Sequence, residues 1–103
     1  MKNILFLDNS NTEFSGKDLN SIKIRGTESS MILLSEELVK KNYNVSVVNA
    51  IKNLITVNGV NYINKHHIKP NIIYDAAIAS SNANLFNGLR AKKKIVWSNS
   101  VQP

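Results

Sequence analysis

Arg25-Gly26-Thr27-Glu28 is the stretch whose residue types and spacing are best suited to chemistry. A glycine turn here opens an amphipathic segment, so its backbone N–H groups fall at a helix start. Such a start, fed by a long polar loop, is a ready site for an anionic or sugar-like ligand. Glu28 has two readings. It is a general base, or a first-turn acid matched to the helix dipole, and capping preferences favour the second.

The elements that must position this turn follow from periodicity. Ile4-Leu5-Phe6-Leu7 is a continuous apolar run, so residues 2–8 read as a strand covered on both faces. Residues 9–25 are polar, hold Gly16 and show no convincing period, and connections of that length are usually functional or mobile. From Thr27 the period becomes helical: Met31, Leu34 and Leu38 share one face, flanked by Ile32, Ser35 and Val39. Glu36 with Lys40 and Glu37 with Lys41 are acid-before-base pairs at i, i+4, and Asn42 is a stop. Residues 44–49 read as a valine-rich strand, and residues 54–63 as a hairpin turning at Asn58-Gly59. A loop over 64–71, a small-residue strand over 75–80, a short helix over 82–89 and a strand over 94–98 complete the order. Strands alternating with helices predict an α/β fold with a parallel sheet and right-handed crossovers.

In an open parallel sheet, ligands bind outside the carboxyl ends of the strands. Those ends are Asp8-Asn9, Asn49, Ser80-Ser81-Asn82 and Ser98-Asn99-Ser100, all small or polar and suited to hydroxyls. Loop polarity alone explains the same pattern equally well. Asp8 could accept from a sugar hydroxyl or cap its own loop. His66-His67 lacks the i, i+4 spacing of a helical metal pair and reads as an exposed loop, and Trp97 reads as core or a sheet-face contact.

The chain has 103 residues, enough for one domain with one core, and a net charge of +6. The dense basic cluster is Arg90, Lys92, Lys93 and Lys94, at the amino end of the last strand and away from the expected site. No aromatic residues interleave with it, which argues against nucleic acid. It reads as a solvated face, with a weak hold on an anionic membrane surface as the alternative. No cysteine is present, and no apolar run approaches the roughly 20 residues that span a bilayer. The first eight residues lack a signal-peptide core, so cytoplasm is the default. No metal or other cofactor is expected.

Arg25-Gly26-Thr27-Glu28, the helix ending in Lys40-Lys41, and Tyr43-Asn44-Val45-Ser46-Val47-Val48 together resemble the start of retaining GT-B glycosyltransferases. Residues 75–81 and 94–100 are similar to that family's fourth and fifth strands. The resemblance implies a Rossmann-like three-layer sheet with helices on both faces, over residues 1–103, as the first part of a GT-B fold. It implies an acceptor-side domain, inactive alone, whose partners are a nucleotide-sugar, a glycan or lipid-linked acceptor, and a C-terminal donor-binding domain. Gly26 would bring its N–H near the donor diphosphate. Arg25 stands where the family's first glycine stands, able to contact a phosphate or to narrow the cleft. Ser80, Ser81 and Asn99 stand where family members often place a sugar-contacting histidine. Two other classes compete: a stand-alone nucleotide- or phosphate-binding module, and a non-catalytic subunit that self-associates or docks through an uncovered sheet face. Gly16 and Gly26 are too far apart for a G-x-G-x-x-G dinucleotide turn.

Overall fold

The apolar run at the amino end forms β1 (Asn3–Leu7), which lies inside the sheet and is flanked on both sides by parallel strands. The structure is a computed structural model and describes residues 1–8, 12–21, 26–80 and 83–97. After β1 come α1 (Gly26–Lys40), β2 (Asn44–Val48), β3 (Ile55–Val57), β4 (Val60–Ile63), β5 (Ile73–Tyr74), β6 (Ala76–Ser80), β7 (Arg90–Ala91) and β8 (Lys94–Trp97). Six strands form one sheet in the order β3-β4-β2-β1-β6-β8, while β5 and β7 pair separately. Only β3 runs against its neighbour, so the fold is α/β with a mostly parallel sheet. Among the described residues α1 is the single α-helix.

Alternation along the strands sorts the core into two sides. Ile4, Phe6, Val45, Val47, Val60 and Tyr62 face α1 and pack with Met31, Ile32 and Phe14. Leu5, Leu7, Val48, Ala77 and Ala79 face the other way, where Tyr74, Phe86 and Leu89 cover them. The cover on that second side comes from short pieces: the β5–β7 pair and a 3₁₀ turn, Ala83–Phe86, where a short helix was expected.

The helix ends as the sequence predicts, for a visible reason. Asn42 adopts φ 69°, the Tyr43 N–H donates to the Leu38 carbonyl and the Asn42 N–H to that of Val39. This pair of bonds is a Schellman cap with asparagine in the left-handed position. Its buried face is rotated from the expected one. Glu28, Met31, Ile32 and Ser35 are buried, whereas Leu34 is 44% exposed. At 100° per residue Glu28 and Ser35 sit near the middle of the buried arc. Counting apolar residues alone therefore displaces the stripe toward Leu34. The predicted Glu36–Lys40 pairing is also replaced: Lys40 Nζ meets Glu37 Oε1 at 3.2 Å, and Glu36 Oε2 accepts from Asn58 Nδ2 at 3.0 Å.

That second bond ties the hairpin tip to the helix. Asn58 (φ 51°) and Gly59 (φ 81°) form the two left-handed positions of the expected turn. A Cβ on Gly59 would come within 2.6 Å of Val39 Cγ1, so glycine is required both by conformation and by space.

Part of the long polar segment after β1 is anchored. Phe14 is fully buried and meets Tyr62 edge-on, with ring centroids 6.3 Å apart at 69°. Ser15 caps the 3₁₀ turn Gly16–Asp18 while Asp18 Oδ2 accepts from the Ser15 N–H at 3.0 Å, a reciprocal capping box. Expecting a mobile or functional loop here underestimated an aromatic plug.

Candidate functional site

α1 leaves the carboxyl end of β1 and returns to start β2 parallel to it, so its first residues must lie at the carboxyl rim. β6 pairs with β1 on the side opposite β2. The chain reverses its direction of winding between β1 and β6, which is the switch point where open α/β sheets place ligands. Leu7 pairs with Ala79, which sets Asp8 and Ser80 side by side one step further on.

At this rim a cavity of about 730 Å³ opens on the side away from α1. Its floor is Leu7 and Val48 at the strand ends, and its polar wall carries Asp8, Asn49, Asn64 and Asn84, with Lys65 and His66 at one side. Two of these side chains organise the rim itself. Asn49 Oδ1 accepts from the Phe14 N–H at 3.2 Å and the Ile51 N–H at 2.9 Å, and Asn64 Nδ2 donates to the Ile51 carbonyl at 3.2 Å. Asn64 also accepts from the His66 N–H at 3.1 Å, capping the 3₁₀ turn Lys65–His67. The result is an amide-rich rim with a carboxylate on one side and two basic side chains on another. Such a set can hold hydroxyls by paired donation and acceptance, and an anionic group through Lys65.

The expected site residues divide three ways. Asp8 is half-buried and borders the cavity; Ser80 is buried beside it at the strand end. Gly26 and Thr27 lie at the same rim but on the α1 side of the sheet, and neither borders the cavity. A Cβ on Gly26 would meet nothing within 4 Å among the described residues, so their packing does not demand glycine there. Glu28 is fully buried on the arc of α1 that carries Met31 and Ile32, away from solvent. Arg25, Ser81 and Asn99 lie outside the described residues.

Sequence reasoning passed over Asn64, Lys65 and Asn84 as site residues and read His66 only as part of an exposed loop. Their signal was only topological: they follow β4 and β6, both of which end at this rim. The two histidines are exposed, as expected, and among the described residues no three His, Cys, Asp or Glu side chains gather as a metal site would need. No helix among the described residues is long and apolar enough to cross a membrane.

The amino rim is organised differently. Asp75, between β5 and β6, accepts from the Asn3 N–H at 2.7 Å and lies 3.5 Å from Lys92 Nζ. The Asn3 bond first, then the Lys92 charge, holds the Asp75 carboxyl below its ordinary range. In the core, burial and secondarily the Glu36 charge push the Tyr62 hydroxyl above its ordinary value, as expected for a phenol kept protonated. In comparisons with known proteins, no family model, no curated protein and no solved structure matched the chain.

Proposed function

We propose that this chain is the N-terminal, acceptor-side domain of a retaining glycosyltransferase of GT-B type, with a Rossmann-like arrangement, using a nucleotide-activated sugar. The observation that carries the reading is the meeting of the α1 start with polar strand ends at one carboxyl rim, at the switch point between β1 and β6. The N–H groups of Gly26 and Thr27 would stabilise charge developing on the leaving diphosphate, as preorganised donors do. Asp8 and Ser80, with Ser81, Asn99 and Arg25, would position hydroxyls and phosphate. Transfer takes place in a cleft whose other wall is a donor-binding domain, so residues 1–103 alone bind weakly and do not turn over. The acceptor is a glycan or a lipid-linked saccharide. The protein would work in the cytoplasm, with the basic amino rim near an anionic membrane face.

The test is a titration of the isotope-labelled chain with uridine, guanosine and thymidine diphosphate sugars, followed through backbone amide signals. Movement centred on Gly26, Thr27, Glu28 and Asp8 is the expected result. Silence at these amides with every donor up to its solubility limit would remove the proposal, and a stronger response to NAD would favour a stand-alone nucleotide-binding module. A non-catalytic interaction subunit has one observation of its own. β8 lies at the sheet edge with Ile95 43% and Val96 45% exposed, an apolar margin open to self-association.

A further inference from the structure

Four polar side chains on neighbouring strands form a continuous chain across the second face of the sheet. Thr56 Oγ1 donates to Asn61 Oδ1 at 2.9 Å, Asn61 Nδ2 to Asn44 Oδ1 at 3.5 Å, and Asn44 Nδ2 to Asn3 Oδ1 at 2.7 Å. The pairing register builds it: Thr56 stands opposite Asn61, and Asn3 stands opposite Asn44. Strands about 4.8 Å apart make this a ladder spanning on the order of 15 Å over β3, β4, β2 and β1. Every bond points the same way, so the amide dipoles polarise one another toward Asn3.

The ladder floors a groove of about 760 Å³, walled by the loop that carries His66 and Lys69. It lies toward the amino ends of the strands on the face away from α1; it shares His66, Ile68 and Pro70 with the Asp8 cavity but has a different floor. Its floor has no formal charge. An apolar segment laid over it would bury amides whose remaining groups it could not satisfy, which opposes its binding. Internal bonding leaves donors to spare: one amide hydrogen on Asn44, one on Asn61 and both on Asn3. Each carbonyl also keeps an accepting lone pair. A flat row of neutral groups that both donate and accept, at strand spacing, complements a ligand whose own groups do the same.

We infer that this groove is a binding site for a neutral, polyhydroxylated ligand, an oligosaccharide segment lying across the strands with its hydroxyls on the Asn3–Asn44–Asn61 ladder. The floor itself carries no charge to select an anion; Lys69 stands on the wall, and comparison with inorganic phosphate tests its pull. The inference does not rest on sugar transfer at the carboxyl rim, and the two are read from different signals.

The experiment follows the side-chain amide resonances of the labelled protein during titration with cellohexaose, maltohexaose and chitohexaose. At least one should move the Asn3, Asn44 and Asn61 NH₂ signals saturably at millimolar concentration, leaving the Gly26 and Asp8 backbone amides in place. Asn44→Ala removes the middle rung and should weaken that binding about tenfold, the effect of losing roughly 1.4 kcal/mol. Thr56→Val removes only the terminal hydroxyl, and it should give a smaller loss with an unchanged backbone spectrum should Asn44→Ala unfold the sheet. Three results would each overturn the inference: no oligosaccharide shifts these signals, the shifts fall at the carboxyl rim instead, or inorganic phosphate moves them more than any neutral glycan does.

Discussion

Beneath α1, Ile4, Phe6, Val45, Val47, Val60 and Tyr62 make an unbroken apolar floor, whereas the opposite face of the same strands changes character along its length. Toward the carboxyl ends that face shows Leu7, Val48 and Ile63, covered by short segments. Toward the amino ends of β1, β2 and β4 it shows Asn3, Asn44, Ser46 and Asn61. A parallel strand reads as continuously apolar only where both faces are covered. The composition of the second face thus marks the line at which cover stops. One face is closed by a helix; the other is half closed and half built for polar contact.

This contrast predicts unequal costs for similar truncations. Phe14→Ala, on the helix side and 1% exposed, should destabilise the fold by about 3–5 kcal/mol in urea unfolding. Phe86→Ala, 9% exposed in the thinner cover of the second face, should cost roughly half of that, since its site can collapse or admit water. Equal losses would mean that the short segments pack as tightly as α1 does, and the contrast would fail.

Much of this division was legible from sequence, where local rules suffice. The Asn58-Gly59 turn, the stop at Asn42 and the strands beginning near residues 3, 44, 76 and 94 all sit where period and turn chemistry put them. What escaped needed information from distant residues. Phe14 was hidden in a polar stretch, although Ser15 and Asp18 carried a capping signal. The rotation of α1 was hidden because Glu28 and Ser35 occupy the centre of its buried arc. The asparagine ladder could not be read at all. Asparagines at 3, 44 and 61 look like loop or strand-end residues until the register of three strands aligns them. At the rim, Asp8 and Ser80 were found from strand ends, while Asn64 and Asn84 required the strand order.

A smaller effect, of opposite sign, sharpens the view of the helix side. Ser35 is fully buried and its hydroxyl has no hydrogen-bond partner among the described residues. Replacing an unsatisfied buried hydroxyl removes a desolvation cost, and alanine is also the better helix former. Ser35→Ala should therefore raise the urea midpoint, by about 0.5–1.5 kcal/mol in stability. A drop in stability would show that the hydroxyl is bonded in solution and that this face is less dry than its geometry implies.

The weakest expected effect lies at the amino rim, where Asp75 holds the first rung of the ladder by accepting from the Asn3 N–H. Its carboxyl is shifted below the ordinary range, so the ionised form is favoured in the folded state. The stability it contributes is fully present above the ordinary aspartate value, about 3.9, and is lost as pH falls toward the lower folded value. Asp75→Asn should accordingly be less stable than the parent at neutral pH, and the gap should close on acidification below about pH 4. Salt separates the two causes. Lys92 is 71% exposed and its share should be screened at 1 M, where the Debye length is about 3 Å. The contact with the Asn3 N–H is short-range and should persist, so most of the gap should survive high salt. A gap that salt abolishes would assign the shift to Lys92. A gap that ignores pH would show that Asp75 acts through shape alone, and the polar half of the second face would then lose its electrostatic anchor.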